Sequence, residues 1–138
     1  KDFPDFKAMA TEEEDATQLK LGPDFSEARC LLNSEVAFLL EQAQQAFAEA
    51  EETELQSVFL KTVNYVKRFS RYKNKIAVKE VRTLLTKRNL EEFEVAALAN
   101  LSPENAEEAK TLIPTLATKL TDEELESILN DLKNYSTF

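Results

Sequence analysis

The side chains that most often carry catalysis are scarce in this chain. It has no histidine, so neither a Ser-His-Asp nor a Cys-His nucleophile system can be assembled. One cysteine, Cys30, cannot form a structural zinc site, which takes four Cys or His ligands, and cannot close an internal disulfide. A lone thiol of this kind reads as a small apolar filler and fits a reducing compartment. One glycine, Gly22, excludes the glycine-rich loops that cradle phosphates. Carboxylates are plentiful, but Glu91-Glu92, Glu107-Glu108 and Glu123-Glu124-Glu126 fall at predicted helix starts or on exposed faces. There they complement the positive end of the helix dipole. No calcium-loop spacing is present. Catalytic residues, cofactor and metal are therefore not expected.

Charge is the feature that carries information. Residues 1–52 hold four bases against 13 acids, whereas from Thr53 onward 13 bases balance 13 acids. Within that second part, Lys61 to Arg88 contains ten bases and the single acid Glu80. Two patches of opposite sign suggest more than one contact surface. In the basic stretch, Lys61, Lys67, Arg68, Arg71, Lys73, Lys75, Lys79 and Arg82 are interleaved with Tyr65, Phe69 and Tyr72. Cations that track phosphates, with rings that stack on bases, are the ingredients of a single-strand-binding surface. Lys67, Arg68, Arg71, Lys73 and Lys75 are the candidate RNA contacts. The competing reading is a solvated or protein-facing surface, because Phe69 falls on an apolar stripe and Tyr65 and Tyr72 fit equally well beside a core.

The elements that must position these groups are helical. One Gly and four Pro in 138 residues are too few turn-formers for a multi-strand sheet. No run of about 18 uncharged apolar residues is present to span a membrane. Residues 1–15 read as an acidic tail without packed structure of its own. Thr17 to Leu21 alternates polar and apolar, a short strand pattern closed by Gly22-Pro23. A lone strand among helices leaves its backbone donors without partners, so it is expected to join another protein's sheet edge through Leu19 and Leu21. Phe25 to Leu32 fits either an extended lead-in or an early helical turn.

A first long helix starts near Asn33 or Ser34 with an apolar face of Val36, Leu39, Leu40, Ala43 and Phe47. This face is the second expected partner contact. Helices follow from about Thr53 to Phe69 (on Leu55, Val58, Phe59, Thr62, Val66 and Phe69) and from about Ile76 to Arg88 (on Ala77, Val81, Leu84 and Leu85). Phe93 to Leu101 is apolar nearly all round and should be central. Ser102-Pro103 reads as a cap and first turn for a helix carrying Ala106, Ala109, Leu112 and Ile113, ended by Pro114. Thr121 and Glu124 form a capping box ahead of Leu125, Ile128, Leu129 and Leu132. The organisation expected is a tail over 1–15, a partner-docking strand and helix over 16–50, and a helical bundle over 51–138.

These residues carry a family resemblance. Asn64-Tyr65-Val66-Lys67-Arg68-Phe69-Ser70-Arg71-Tyr72-Lys73-Asn74 resembles a conserved-type segment of the fourth subunit of RNA polymerase II. Phe93 to Leu101, Glu107 to Leu116 and Asp122 to Leu129 are each similar to further segments of that family, in the same order. Glu13 to Leu21 and Leu31 to Val36 continue the likeness, which covers roughly residues 12–135. The resemblance implies an all-α fold, an HRDC-like helical bundle preceded by the docking strand and the long amphipathic helix. It implies a non-catalytic subunit that pairs with the polymerase's seventh subunit as a heterodimer. Together the two would form the stalk near the clamp of the polymerase core, supporting initiation and handling nascent RNA. It further implies a nuclear location with shuttling to the cytoplasm. A long charged insert found after the first helix in some members has only Ala48 to Glu52 in its place, so functions tied to it do not transfer. The alternative is a free-standing HRDC-like nucleic-acid-binding module, which would have little use for residues 16–47.

Overall fold

The structure, a computed structural model, describes residues 14–18, 20–47 and 54–136. The chain order is α1 (Pro23–Ser26), α2 (Asn33–Phe47), α3 (Glu54–Phe69), α4 (Lys75–Thr86), α5 (Glu92–Leu101), α6 (Ala106–Leu112) and α7 (Asp122–Tyr135). Short 3-10 turns occupy Ala16–Gln18 and Pro114–Thr118. The fold is all-α, as expected. The acidic tail read over residues 1–15 lies outside the described residues except for Glu14 and Asp15.

Among the described residues the expected strand is not formed. Ala16–Gln18 coils into a 3-10 turn, and the chain closes on itself through an isolated antiparallel bridge between Asp15 and Lys20. Asp15 N–H donates to Lys20 O at 2.8 Å, Lys20 N–H returns the bond to Asp15 O at 2.9 Å, and Thr17 N–H donates to Asp15 Oδ1 at 2.9 Å. An aspartate that can accept from the backbone two residues on favours this turn over an extended chain. Of the backbone donors that were to seek an outside sheet, those of Thr17, Gln18 and Lys20 are bonded locally. Gly22 then takes a positive φ of 81° in front of α1, where a Cβ would stand 2.5 Å from Glu14 Oε1. In Phe25 to Leu32, the short helix α1 ends at Ser26, and an irregular strap runs on to Leu32.

The core is built by α4 to α7 with Leu32 and Tyr72. On α7 the buried residues are Leu125, Ile128, Leu129 and Leu132, the stripe its periodicity predicts, and the Thr121–Glu124 capping box is formed. α5 buries Val95, Ala96, Leu98 and Ala99 and is central. The start of α6 differs from expectation. Ser102 is the left-handed C-cap of α5, with φ 47°, and its hydroxyl donates back to Ala99 O at 3.0 Å. The cap of α6 is Asn105, whose side chain accepts from Glu108 N–H at 2.9 Å. Leu112, expected inside, is exposed because Ala106, Ala109 and Ile113 already fill that side.

α2 packs against α3. Ser34, at the start of α2, accepts from Ser70 Oγ at 2.8 Å and from Tyr72 N–H at 3.1 Å, so α2 and α3 run antiparallel. Leu32 is fully buried in the common core.

Candidate docking and nucleic-acid interfaces

Four places bring candidate side chains together, and the first is the strap. Arg82, expected on the basic surface, is instead 9% exposed. Its Nε donates to Glu35 Oε1 at 3.0 Å, Nη2 to Glu35 Oε2 and to Cys30 O at 2.8 Å, and Nη1 reaches Glu92 Oε2 at 3.4 Å. The carboxylates in turn hold the strap's backbone. Cys30 N–H donates to Glu92 Oε2 at 3.2 Å and Leu32 N–H to Glu35 Oε2 at 2.8 Å, while Asn33 N–H donates to Asn100 Oδ1 at 2.9 Å. Partial burial pushes the Glu35 carboxyl upward. The Arg82 hydrogen bonds, the Leu32 N–H and the charges of Arg82 and Arg29 outweigh it, and the result lies below the ordinary glutamate value. Arg82 is raised, first by its hydrogen bond to Glu35 and against its own desolvation. Burial pushes the Cys30 thiol up, and Glu92 adds to this. A thiol so held is a poor nucleophile.

A second buried charge cluster serves α5. Glu94 is fully buried and accepts from Glu91 N–H at 2.7 Å, from Lys119 Nζ at 2.8 Å and from the Thr115 hydroxyl. It ties α5 to the turn at Pro114–Thr118. Neither cluster was read from the sequence. A signal existed for Arg82, since it falls between Val78, Val81 and Leu85 on the covered side of α4, where a solvated cation does not belong.

The expected docking face of α2 is present and incompletely covered. The α3 side of α2 is formed by Ser34, Ala37 and Glu41, the last paired with Lys67 at 3.8 Å. At about 100° per residue, Val36, Leu39, Leu40 and Ala43 fall on the opposite side. Leu39 is 53% exposed, and Val36, Leu40 and Ala43 are half-buried. Of the remaining docking residues, Leu21 is half-buried, Leu19 lies outside the described residues, and the side chain of Phe47 does too.

The basic surface is partly assembled. Lys67, Arg68, Arg71, Lys73 and Lys75 are all exposed. Lys67 faces Glu41, Lys73 Nζ donates to Lys67 O at 3.2 Å, and Lys75 Nζ lies 5.4 Å from the Phe38 ring centroid. The aromatics divide against expectation. Tyr72 is buried in the core, whereas Phe69, placed on the buried stripe by periodicity, is 47% exposed and packs on exposed Tyr65 at 4.8 Å. The covered side of α3 is Val63 and Val66, leading to Ser70, with Phe59 half-buried. α3 is apolar on two sides, and the Ser34–Ser70 contact selects the one that turns inward.

Comparison with known proteins shows the family. The sequence profile described as RNA polymerase Rpb4 matches residues 30–136, from the first strap residue held by Arg82 to the end of α7. The chain belongs to the RNA polymerase Rpb4 family. It is 48% identical to "DNA-directed RNA polymerase II subunit rpb4" of Dictyostelium discoideum, over 92% of each chain. It is 45% identical to "DNA-directed RNA polymerase II subunit 4" of Arabidopsis thaliana, over 92% of this chain and 96% of the relative. The Schizosaccharomyces pombe relative of the same subunit name is 42% identical, over 91% and 94%. The candidate contacts of this Rpb4-family chain lie before α1, on α2, on α3, in the loop after α3 and at the start of α4. Its two ionic clusters act inside the fold. Among the described residues, no group of three or more His, Cys, Asp or Glu is placed to hold a metal, and no helix is long and apolar enough to cross a membrane.

Proposed function

We propose that this chain serves as the fourth-subunit member of nuclear RNA polymerase II and pairs with the polymerase's seventh subunit through α2, forming the stalk that supports initiation and handles nascent RNA. The chain contributes no catalytic groups to that assembly. It acts by presenting surfaces. The observation that carries the reading is the face of Val36, Leu39, Leu40 and Ala43, turned away from α3 and left partly open with Leu39 53% exposed. A stripe of aliphatic residues at three- and four-residue steps, opposite a helix side that is already packed, suits a second polypeptide. Similarity over nearly the full length of polymerase subunits supports this over a free-standing nucleic-acid-binding module.

The turn at Asp15–Lys20 changes how the pairing works. Because the Thr17, Gln18 and Lys20 N–H groups are bonded within it, affinity is assigned to side-chain burial on α2 and not to an added strand. Co-purification of the chain with the seventh subunit tests this. Leu39→Asp with Leu40→Asp should weaken binding by roughly tenfold or more, since a desolvated aliphatic anchor is replaced by charge. Unchanged affinity in a chain whose helical circular dichroism is intact would overturn the reading.

A further inference from the structure

α3 carries a second exposed strip that the α2 pairing does not use. Val58, Thr62, Tyr65 and Phe69 follow one another at steps of four, three and four residues, which places them on one side of the helix over about 16 Å. Val58 is 58% exposed, Tyr65 57% and Phe69 47%. The Thr62 hydroxyl donates to Val58 O at 2.9 Å, so its donor is spent inside the helix and adds no polar demand to the strip. Lys61 and Arg68 border the strip, and among the described residues neither forms an ion pair. From Leu55 to Lys79 the sequence contains no Asp or Glu. The strip is thus apolar along its length and cationic along its edge.

We propose that this strip is a docking surface for an acidic amphipathic helix of a partner polypeptide, a second contact that goes beyond the pairing through α2. Charge and shape choose the occupant. A helix with apolar residues three and four positions apart would lay them on Val58, Tyr65 and Phe69, and its acidic flank would meet Lys61 and Arg68. Single-stranded nucleic acid fits less well. Base stacking needs open ring faces. The Tyr65 and Phe69 rings are instead turned on each other at 45°, and the Arg68 guanidinium lies over Phe69 at 5.7 Å. The third aromatic of this stretch, Tyr72, is inside the core.

The test places the photo-crosslinking residue p-benzoylphenylalanine at Thr62 of the full chain, in cells, and sequences the captured peptide. The expected adduct is with a net-acidic segment whose apolar residues recur three and four apart. Lys61→Glu with Arg68→Glu should lower its yield roughly tenfold, while Lys61→Arg with Arg68→Lys keeps it. Unchanged helical circular dichroism confirms that the charge-reversed chain is folded. Capture of RNA alone, capture of a neutral or basic segment, no adduct, or a yield indifferent to charge reversal would each overturn the proposal. The same reagent at Leu39 reports on the α2 pairing, so either reading can fail without the other.

Discussion

The α2–α3 pair and the α4–α7 unit use the same kind of sequence to different ends. In α7 the apolar stripe is Leu125, Ile128, Leu129 and Leu132, and every member is 2% exposed or less. In α2 and α3 the apolar residues outnumber the places that the chain's own packing can cover. Leu39, Val58, Leu60, Tyr65 and Phe69 remain 47% exposed or more. Isolated apolar residues on a surface are ordinary, but these recur at helical spacing on two neighbouring helices. Hydrophobic periodicity reports that a face is apolar. It does not report whether this chain or another one covers it.

The contrast can be broken most directly by truncation on both sides of it. Leu129→Ala removes a side chain that is 1% exposed and leaves a cavity among packed neighbours, so it should destabilise the fold by about 3 kcal/mol or more. Val58→Ala removes one that is 58% exposed and should change stability by about 0.5 kcal/mol or less. Urea unfolding followed by circular dichroism measures both, the chain having no Trp to report by fluorescence. Comparable losses at the two sites would show that α3's outer strip is part of the core, and the contrast would disappear.

The same physics explains how far the sequence could be read. α5, α7 and the Thr121 cap were legible because one periodic stripe and one capping box each had a single reading. α3 was legible as a helix but not in its orientation, since Val58, Thr62 and Phe69 compete with Val63 and Val66 for the inside. The choice depends on Ser34 reaching Ser70 from 36 residues away, a contact that periodicity cannot see. The alternation at Thr17 to Leu21 has the period of a strand, but the Asp15 carboxylate accepting from the Thr17 N–H favours a turn. Of the candidate contact residues, Leu39 and the five cations were exposed. Arg82 was not where expected, because a cation's carboxylate partners, here from α2 and α5, are known only after the chain has folded.

Arg82 is the seam between the two regions, which makes it the next place to test the contrast. Arg82→Ala strands Glu35 and Glu92 and frees Cys30 O, and with both carboxylates partly solvated it should cost about 3 kcal/mol, toward the low end for a broken buried pair. Glu35→Gln alone should cost less. If the pair acts as a unit, the double substitution should fall short of the sum by roughly 1 kcal/mol or more. Amide exchange then sharpens the result. In Arg82→Ala, protection should fall first at Cys30 and Leu32, whose N–H groups depend on the two carboxylates, while α7 stays protected. Uniform loss across the chain would mean that the strap and the bundle open as one unit, with no seam between them.

The smallest effect is a dependence on pH, and its sign follows from Glu35. Its carboxyl is held below the ordinary value of 4.5 in the folded chain, because the hydrogen bonds and charge of Arg82 outweigh partial burial. A group depressed on folding contributes stability that is fully present above its unfolded value and is lost as pH falls through the folded one. The loss must therefore begin below about 4.5 and be absent near neutrality. In Glu35→Gln that component is missing at every pH, so the stability gap between the original chain and the variant should narrow as the solution is acidified through this window. The comparison cancels most of the other carboxylates, which titrate in both proteins. A gap that stayed constant into acid, or widened, would mean that Arg82 is held mainly by Glu92 and Cys30 O, and the strap would then be fastened from α5 alone.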